Sequence, residues 1–196
     1  MNDSDIRKKL KRCLQEEYFN DSNTLIVEEL VLRHGYGRVD LAVINGAIEG
    51  YEIKSDRDSL KRLPSQCQIY SSVLDRVTLV VGCRHIEVAI GIVPDWWGVQ
   101  LATRTQDEIS FSLVRQAEMN PTSNLLGLTK LLWREEALAL LDELDQKKGN
   151  SKKTRKDLYE LLTRVADENW LRMKIKQQLF CRENWRPVEQ QMSYDD

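Results

Sequence analysis

Two adjacent strand-length segments constrain this chain more than any other feature. They are RVDLAVI at residues 38–44 and YEIK at 51–54. In the first, Val39, Leu41 and Val43 alternate with Asp40, Ala42 and Ile44, so both faces need cover, as in a strand at the centre of a sheet. In the second, Glu52 and Lys54 share one face and Tyr51 and Ile53 the other. A carboxylate on a central strand is costly unless it is paired, hydrogen-bonded or bound to metal. Two close carboxylates raise that cost, because each disfavours ionisation of the other. A divalent cation would remove both penalties. Charge placement alone leaves a bland alternative open, with Asp40 at a strand end beside Arg38 and with Glu52 and Lys54 as a surface pair.

The rest of the chain supplies layers to cover such strands. Ile6, Leu10, Cys13 and Leu14 recur at helical spacing, predicting a helix over 5–19, and Asn20 to Asn23 close it as a turn. Strands are expected at 24–32, 38–45 and 47–55, a helix opened by Pro64 over 66–74, and a strand buried on both faces at 76–81. Two more strands are expected at 98–103 and 109–116. Beyond Asn120-Pro121 the pattern is helical throughout, with a lysine-rich connector over 146–156. We therefore expect an α/β core over residues 1–118, built on a central mixed sheet flanked by helices, and a C-terminal helical extension over 119–196.

No apolar run approaches the ~18 residues of a membrane span, and the polar start MNDSDIRKKL does not resemble a signal peptide. The four cysteines are scattered with no C-x-x-C pair, so neither a disulfide framework nor a zinc site is expected, and a reduced, cytoplasmic protein is. The net charge is −2, but it is unevenly spread. Residues 147–186 hold twelve Lys/Arg against five Asp/Glu, a surplus of +7, leaving the remainder at −9. A basic segment on an acidic body suits a polyanionic partner, and it equally suits a solvated helix.

Asp40, then Glu52-x-Lys54, then Gln66-x-x-x-Tyr70, in the order helix, three strands, helix, strand, resembles the PD-(D/E)XK nuclease superfamily. Within it the chain resembles the RecB-like Q-x-x-x-Y branch and looks like a poorly characterised bacterial family. The resemblance implies a restriction-endonuclease-like fold. It also implies that Asp40, Glu52 and the backbone carbonyl of Ile53 hold Mg2+, with Mn2+ as a substitute. Lys54 would orient the attacking water and stabilise charge on the phosphate. Gln66 would contact the active-site loop or nucleic acid, with Tyr70 packed beside it. The superfamily often adds an acid from the first helix. Glu16 and Glu17 are candidates, and Glu28 and Glu29 on the first strand compete for that role. Val39 stands where the motif usually has proline.

Arg57, Lys61 and Arg62, just after the Glu-x-Lys strand, are candidates for gripping a nucleic-acid backbone, as are Lys152 and Lys153 in the basic segment. The Gly35-Tyr36-Gly37 segment reads as a turn, Trp96-Trp97 as the closing edge of a core, and His85 as packing near a helix start. The expected function is metal-dependent hydrolysis of phosphodiester bonds in nucleic acid, DNA first, in repair, recombination or defence against foreign DNA. A non-catalytic nucleic-acid-binding or protein-interaction module on the same fold is the alternative. A second copy or a partner protein is left open as a further contact, and no membrane is expected.

The expectation carries a geometric condition. With a plain two-residue Asn45-Gly46 hairpin, Asp40 and Glu52 would leave opposite faces of the sheet. A shared metal therefore requires an odd loop or a bulge, expected as a three-residue loop with Gly46 left-handed.

Overall fold

The computed structural model describes residues 1–182 except residues 107, 123, 147 and 148 and the side chain at 34. The elements run α1 (Asp3–Glu17), β1 (Leu25–Leu32), β2 (Gly37–Ile44), β3 (Ile48–Lys54), α2 (Leu63–Ser71), β4 (Arg76–Gly82), α3 (Ile86–Ile90), β5 (Gly98–Thr105) and β6 (Glu108–Arg115). Four helices follow: α4 (Leu125–Thr129), α5 (Arg134–Glu143), α6 (Arg155–Val165) and α7 (Glu168–Phe180). Short 3-10 turns occupy Arg33–Gly35 and Leu60–Arg62. The α/β class, the flanking helices and the helical C-terminal segment are those expected from the sequence. α1 starts two residues early because Asn2 and Asp5 form a reciprocal capping box. α2 starts at Leu63 with Pro64 in its first turn, where the missing N–H costs nothing.

The strands form one sheet in sequence order. β3 and β4 are parallel, as are β4 and β5, and α2 and α3 supply the crossovers that parallel pairing demands. The remaining neighbours are antiparallel, so the sheet is mixed. On one face, Ile6, Leu10 and Leu14 of α1 cover Leu41, Val43, Tyr51, Ile53 and Val80. On the other, Leu63, Cys67 and Tyr70 of α2 share a core with Val77, Leu79 and Val81 of β4 and with Leu128, Leu140, Leu162, Leu171 and Ile175 of the C-terminal helices. The extension is thus packed into the same core as the sheet. Asp75, 3% exposed, fastens it: one carboxylate oxygen accepts the Ile48 N–H at 2.9 Å, and Arg172 and Lys176 of α7 approach within 3.5 and 3.4 Å. Trp97 is fully buried and stacks on Tyr70 at 5.9 Å, closing the core as expected. Among the described residues no helix is long and apolar enough to cross a membrane, and the four cysteines are unpaired.

The β2–β3 connection meets the geometric condition. Ile44 pairs with Ile48 and Leu41 with Tyr51, so the loop is the three residues 45–47. An unbroken ladder would set Asp40 opposite Glu52, but the pairing stops at Leu41 and Tyr51, and Asp40 departs from it. Gly46, however, is not left-handed, since Gly35 and Gly149 are the glycines with positive φ among the described residues. Asn45 does the turning instead, its side-chain oxygen accepting the Ala47 N–H at 3.1 Å in an Asx turn.

A second departure lies in the facing of the strands. Val39 packs with Ala42 and Ile44, not with Leu41 and Val43, so strict alternation breaks at Asp40. β1 breaks in step: Val27, Leu30 and Leu32 share one core, and Glu29 between them has φ +54°. The β1–β2 ladder skips the Glu29/Asp40 pair that would fall there.

Candidate active site

The break in β2 frees the Asp40 carboxylate to reach two donors that a regular strand would not offer it. Its Oδ2 accepts the Ile53 N–H at 2.8 Å, and its Oδ1 accepts from the Arg7 guanidinium at 2.7 Å. Arg7 projects from α1 and also holds Asp3 at 3.0 Å and Glu29 at 3.1 Å. Even so, the site leaves Asp40 short of positive charge. Burial first, then the nearby Glu52 carboxylate, push its carboxyl up to about 7, against the lowering effects of the Ile53 N–H and Arg7.

Glu52 is in the opposite condition. It is 2% exposed and saturated with donors. Its Oε1 accepts from Lys54 Nζ and from Gln66 Nε2 at 2.6 Å; its Oε2 lies 2.6 Å from the Tyr70 hydroxyl. That hydroxyl also lies 2.6 Å from the Arg38 carbonyl, and its one proton can serve only one of the two oxygens. Burial and Glu52 together push the Tyr70 phenol far up, so it stays protonated. Gln66 and Tyr70, one turn apart on α2, therefore hold the carboxylate itself, a more direct role than the loop contact expected for Gln66. Lys54, 6% exposed, is fixed by Glu52 at the end of β3, as two residues on one strand face should be.

These groups border a cavity of about 400 Å³, lined among others by Arg7, Asp40, Glu52, Lys54, Arg62 and Gln66. Of the expected backbone-gripping residues, Arg62 lines it, while Arg57 and Lys61 are exposed outside its wall. Lys152 is exposed and Lys153 half-buried before α6, also away from the cavity. The first-helix acids do not join the site. Glu16 pairs with Arg12 at 3.0 Å, and Glu17 lies beside Tyr18. Glu28 pairs with Lys11, and Glu29 reaches Asp40 only through their shared Arg7. What α1 contributes is Asp3 and Arg7, which the sequence presents as an ordinary i,i+4 surface pair. His85 Nε2 lies 2.9 Å from the Asp58 carbonyl, and the His34 side chain lies outside the described residues.

The residues fit a hard divalent cation. The expected ligands Asp40, Glu52 and the Ile53 carbonyl would give an all-oxygen donor set, the kind Mg2+ takes while keeping several waters, provided Glu52 shares the oxygens that now face Lys54, Gln66 and Tyr70. Among the described residues no group of three or more His, Cys, Asp and Glu side chains is gathered as for a metal, so a fuller protein cage is not formed. The raised carboxyl of Asp40 and the buried Gln66 Oε1, which has no hydrogen-bond partner among the described residues, both leave room for an incoming group.

Comparison with known proteins places the chain. The sequence profile of a family described as Bacteriophage P4 protein cII matches residues 2–192. Protein cII of Enterobacteria phage P4 is 30% identical over 122 residues, which is 62% of this chain and 46% of that protein. The chain thus matches less than half the length of that relative. Among solved structures, a protein of unknown function from Silicibacter pomeroyi aligns with a TM-score of 0.38 at 21% identity, over 65% of this chain and 83% of that one.

Proposed function

This chain belongs to the bacteriophage P4 protein cII family, and we propose that it is a metal-dependent nuclease acting on nucleic acid, with DNA as the expected substrate. One observation carries the reading. Two carboxylates and a lysine from neighbouring strands, all largely buried, converge on one cavity, and two side chains of the next helix hold the inner carboxylate in place. Groups that costly to bury need a compensating use.

Asp40, Glu52 and the Ile53 carbonyl would hold Mg2+, or Mn2+ in its place. When bound, the ion supplies Lewis-acid stabilisation of charge on the phosphate oxygens. The chain's own residues supply the positioning. Gln66 and Tyr70 fix Glu52, and Glu52 in turn fixes Lys54. The Lys54 ammonium is a donor only, aimed at oxygen, so it orients the attacking water and steadies the developing negative charge. The water oxygen bonds to phosphorus and the bond from phosphorus to the leaving sugar oxygen breaks. One proton of the water leaves to solvent and the departing sugar oxygen takes one up from solvent, so a phosphomonoester and a free hydroxyl result. Arg7 and Arg62 line the same cavity and would meet the phosphate's charge.

A second reading has its own observation. The Arg7 guanidinium already lies on Asp40, where a cation would otherwise neutralise it, which suits a module that binds nucleic acid without cutting it. Incubation with single-stranded, duplex and branched DNA and with RNA, in Mg2+, Mn2+ or EDTA, separates the two. Cleavage that needs metal and is lost in folded Asp40→Ala and Lys54→Ala variants is expected. Undiminished cleavage by either variant, or none by the wild type, would refute the nuclease reading.

A further inference from the structure

The mouth of the cavity carries an aromatic residue that neither the core nor the catalytic groups use. Tyr36 is 80% exposed, yet its backbone is not loose. Gly35 ahead of it has φ +99°, a conformation that glycine alone adopts cheaply. A Cβ on Gly37 behind it would lie 2.7 Å from Ile69 Cγ2 of α2, so the turn is seated against that helix. The turn therefore holds a large ring in water at the wall of a polar cavity that it lines together with Arg38, Arg62, Asp40, Glu52 and Lys54. Positive charge continues beyond it. Lys130 has its ammonium pushed down, first by burial and then by Arg33 of the same turn, with Lys156 adding to the effect and Glu160 opposing it. Lys130 at the end of α4 thus lies within electrostatic reach of Arg33 of the turn and of Lys156 and Glu160 of α6.

We propose that Tyr36 is a base-stacking platform, and that the preferred substrate is a nucleic-acid strand whose base next to the scissile phosphate is unpaired. This rests on the nucleic-acid reading of the cavity. Inside a duplex, neighbouring bases cover both faces of each base, and an aromatic side chain can stack only on one that is open or displaced. The arginines that line the cavity with the ring, and Arg33, Lys130 and Lys156 beyond it, would carry the phosphates on either side, a charged groove with one aromatic step.

The test titrates the full chain with oligodeoxynucleotides carrying one 2-aminopurine, as single strand, overhang and blunt duplex, in EDTA and again in Ca2+. Single-strand and overhang forms are expected to bind at least about tenfold tighter than blunt duplex, with the 2-aminopurine quenched. Tyr36→Ala should weaken single-strand binding by about five- to a hundredfold and remove the quench, while Tyr36→Phe, which keeps the ring, should preserve both. Equal single-strand affinity in Tyr36→Ala, a Tyr36→Phe variant as weak as Tyr36→Ala, or no binding of any oligonucleotide would overturn the assignment. Cleavage in Mg2+ is read separately. Stacking without cleavage would sink the nuclease and leave the platform standing; cleavage and binding indifferent to Tyr36 would do the reverse.

Discussion

Replacing Asp40 by Asn tests the electrostatics of the site without requiring any activity. Burial and Glu52 raise the Asp40 carboxyl from 3.8 to about 7, so the folded chain holds this proton about a thousandfold more tightly than the open chain does. The sign follows from linkage. A carboxyl raised by folding contributes no penalty below about pH 4, where both states are protonated. The penalty then grows as pH rises and is complete above about pH 7. Three powers of ten correspond to about 4 kcal/mol, and the Asp40 side chain is 17% exposed, so little of that is lost to solvent screening. An Asn at 40 keeps an oxygen to accept from Ile53 N–H and gives up the charge, losing in return part of the Arg7 ion pair. We expect Asp40→Asn in EDTA to be about 2 to 4 kcal/mol more stable than wild type at pH 8, with the difference vanishing near pH 4. Urea denaturation across that range reads it directly. Millimolar Mg2+ should then stabilise the wild type by mass action and leave the variant unmoved. An Asp40→Asn variant no more stable than wild type at pH 8, or a gap independent of pH, would refute the raised carboxyl assigned to Asp40.

Two further perturbations probe other parts of the molecule. Asp75→Ala removes the acceptor of the Ile48 N–H and leaves Arg172 and Lys176 without their buried partner; a loss of about 3 kcal/mol is expected in urea denaturation, and a loss under 1 would show that the α7 clamp is not holding the extension. Lys152→Ala with Lys153→Ala should leave stability unchanged and reduce the slope of log K against log salt for single-stranded DNA by about 1.4; an unchanged slope would place these lysines outside the nucleic-acid path. Deleting the whole basic segment is no substitute, since it carries Leu158, Tyr159, Leu162, Leu171 and Ile175 of the core.

Much of the fold was legible because its signals are local. Strands buried on both faces read as nearly continuous apolar runs, and β4 shows this from Val77 to Val81, broken only by the buried Thr78. The loop before β3 was legible for a different reason: function demanded a parity, and the simplest turn chemistry violated it. The conformation of that loop was not legible, because asparagine and glycine each solve a tight turn, and here the Asn45 side chain accepts the Ala47 N–H. The repulsion expected between the carboxylates does raise Asp40, but the donors around each were not legible. Donors from α2, 14 and 18 residues beyond Glu52, satisfy one carboxylate and not the other, and no spacing rule assigns them.

The least legible feature is the one the site depends on most. Period-two reading assumes that a strand keeps its faces, and where both faces are apolar nothing in the residue pattern reveals a switch. β1 and β2 both switch, and they do so at the same cross-strand position, Glu29 opposite Asp40. The coincidence has a physical basis. A twist in one strand alone would break the ladder on either side, whereas a matched twist keeps Glu28 on Leu41 and Leu30 on Val39. Its local cost is a left-handed glutamate, a conformation worth about 1 to 3 kcal/mol. What it gains is a carboxylate turned out of the alternation toward the Ile53 N–H and toward Arg7 of a helix on the other face of the sheet. Had β2 kept its alternation, Val39 would have faced α1 and left a gap in the core of Leu30 and Leu32. The apolar residues at 27, 30, 32 and 39 are therefore in place for the switched strands and misplaced for regular ones. Strain, core composition and the candidate metal ligand converge on one pair of residues, as expected where a fold departs from its local rules to build a site.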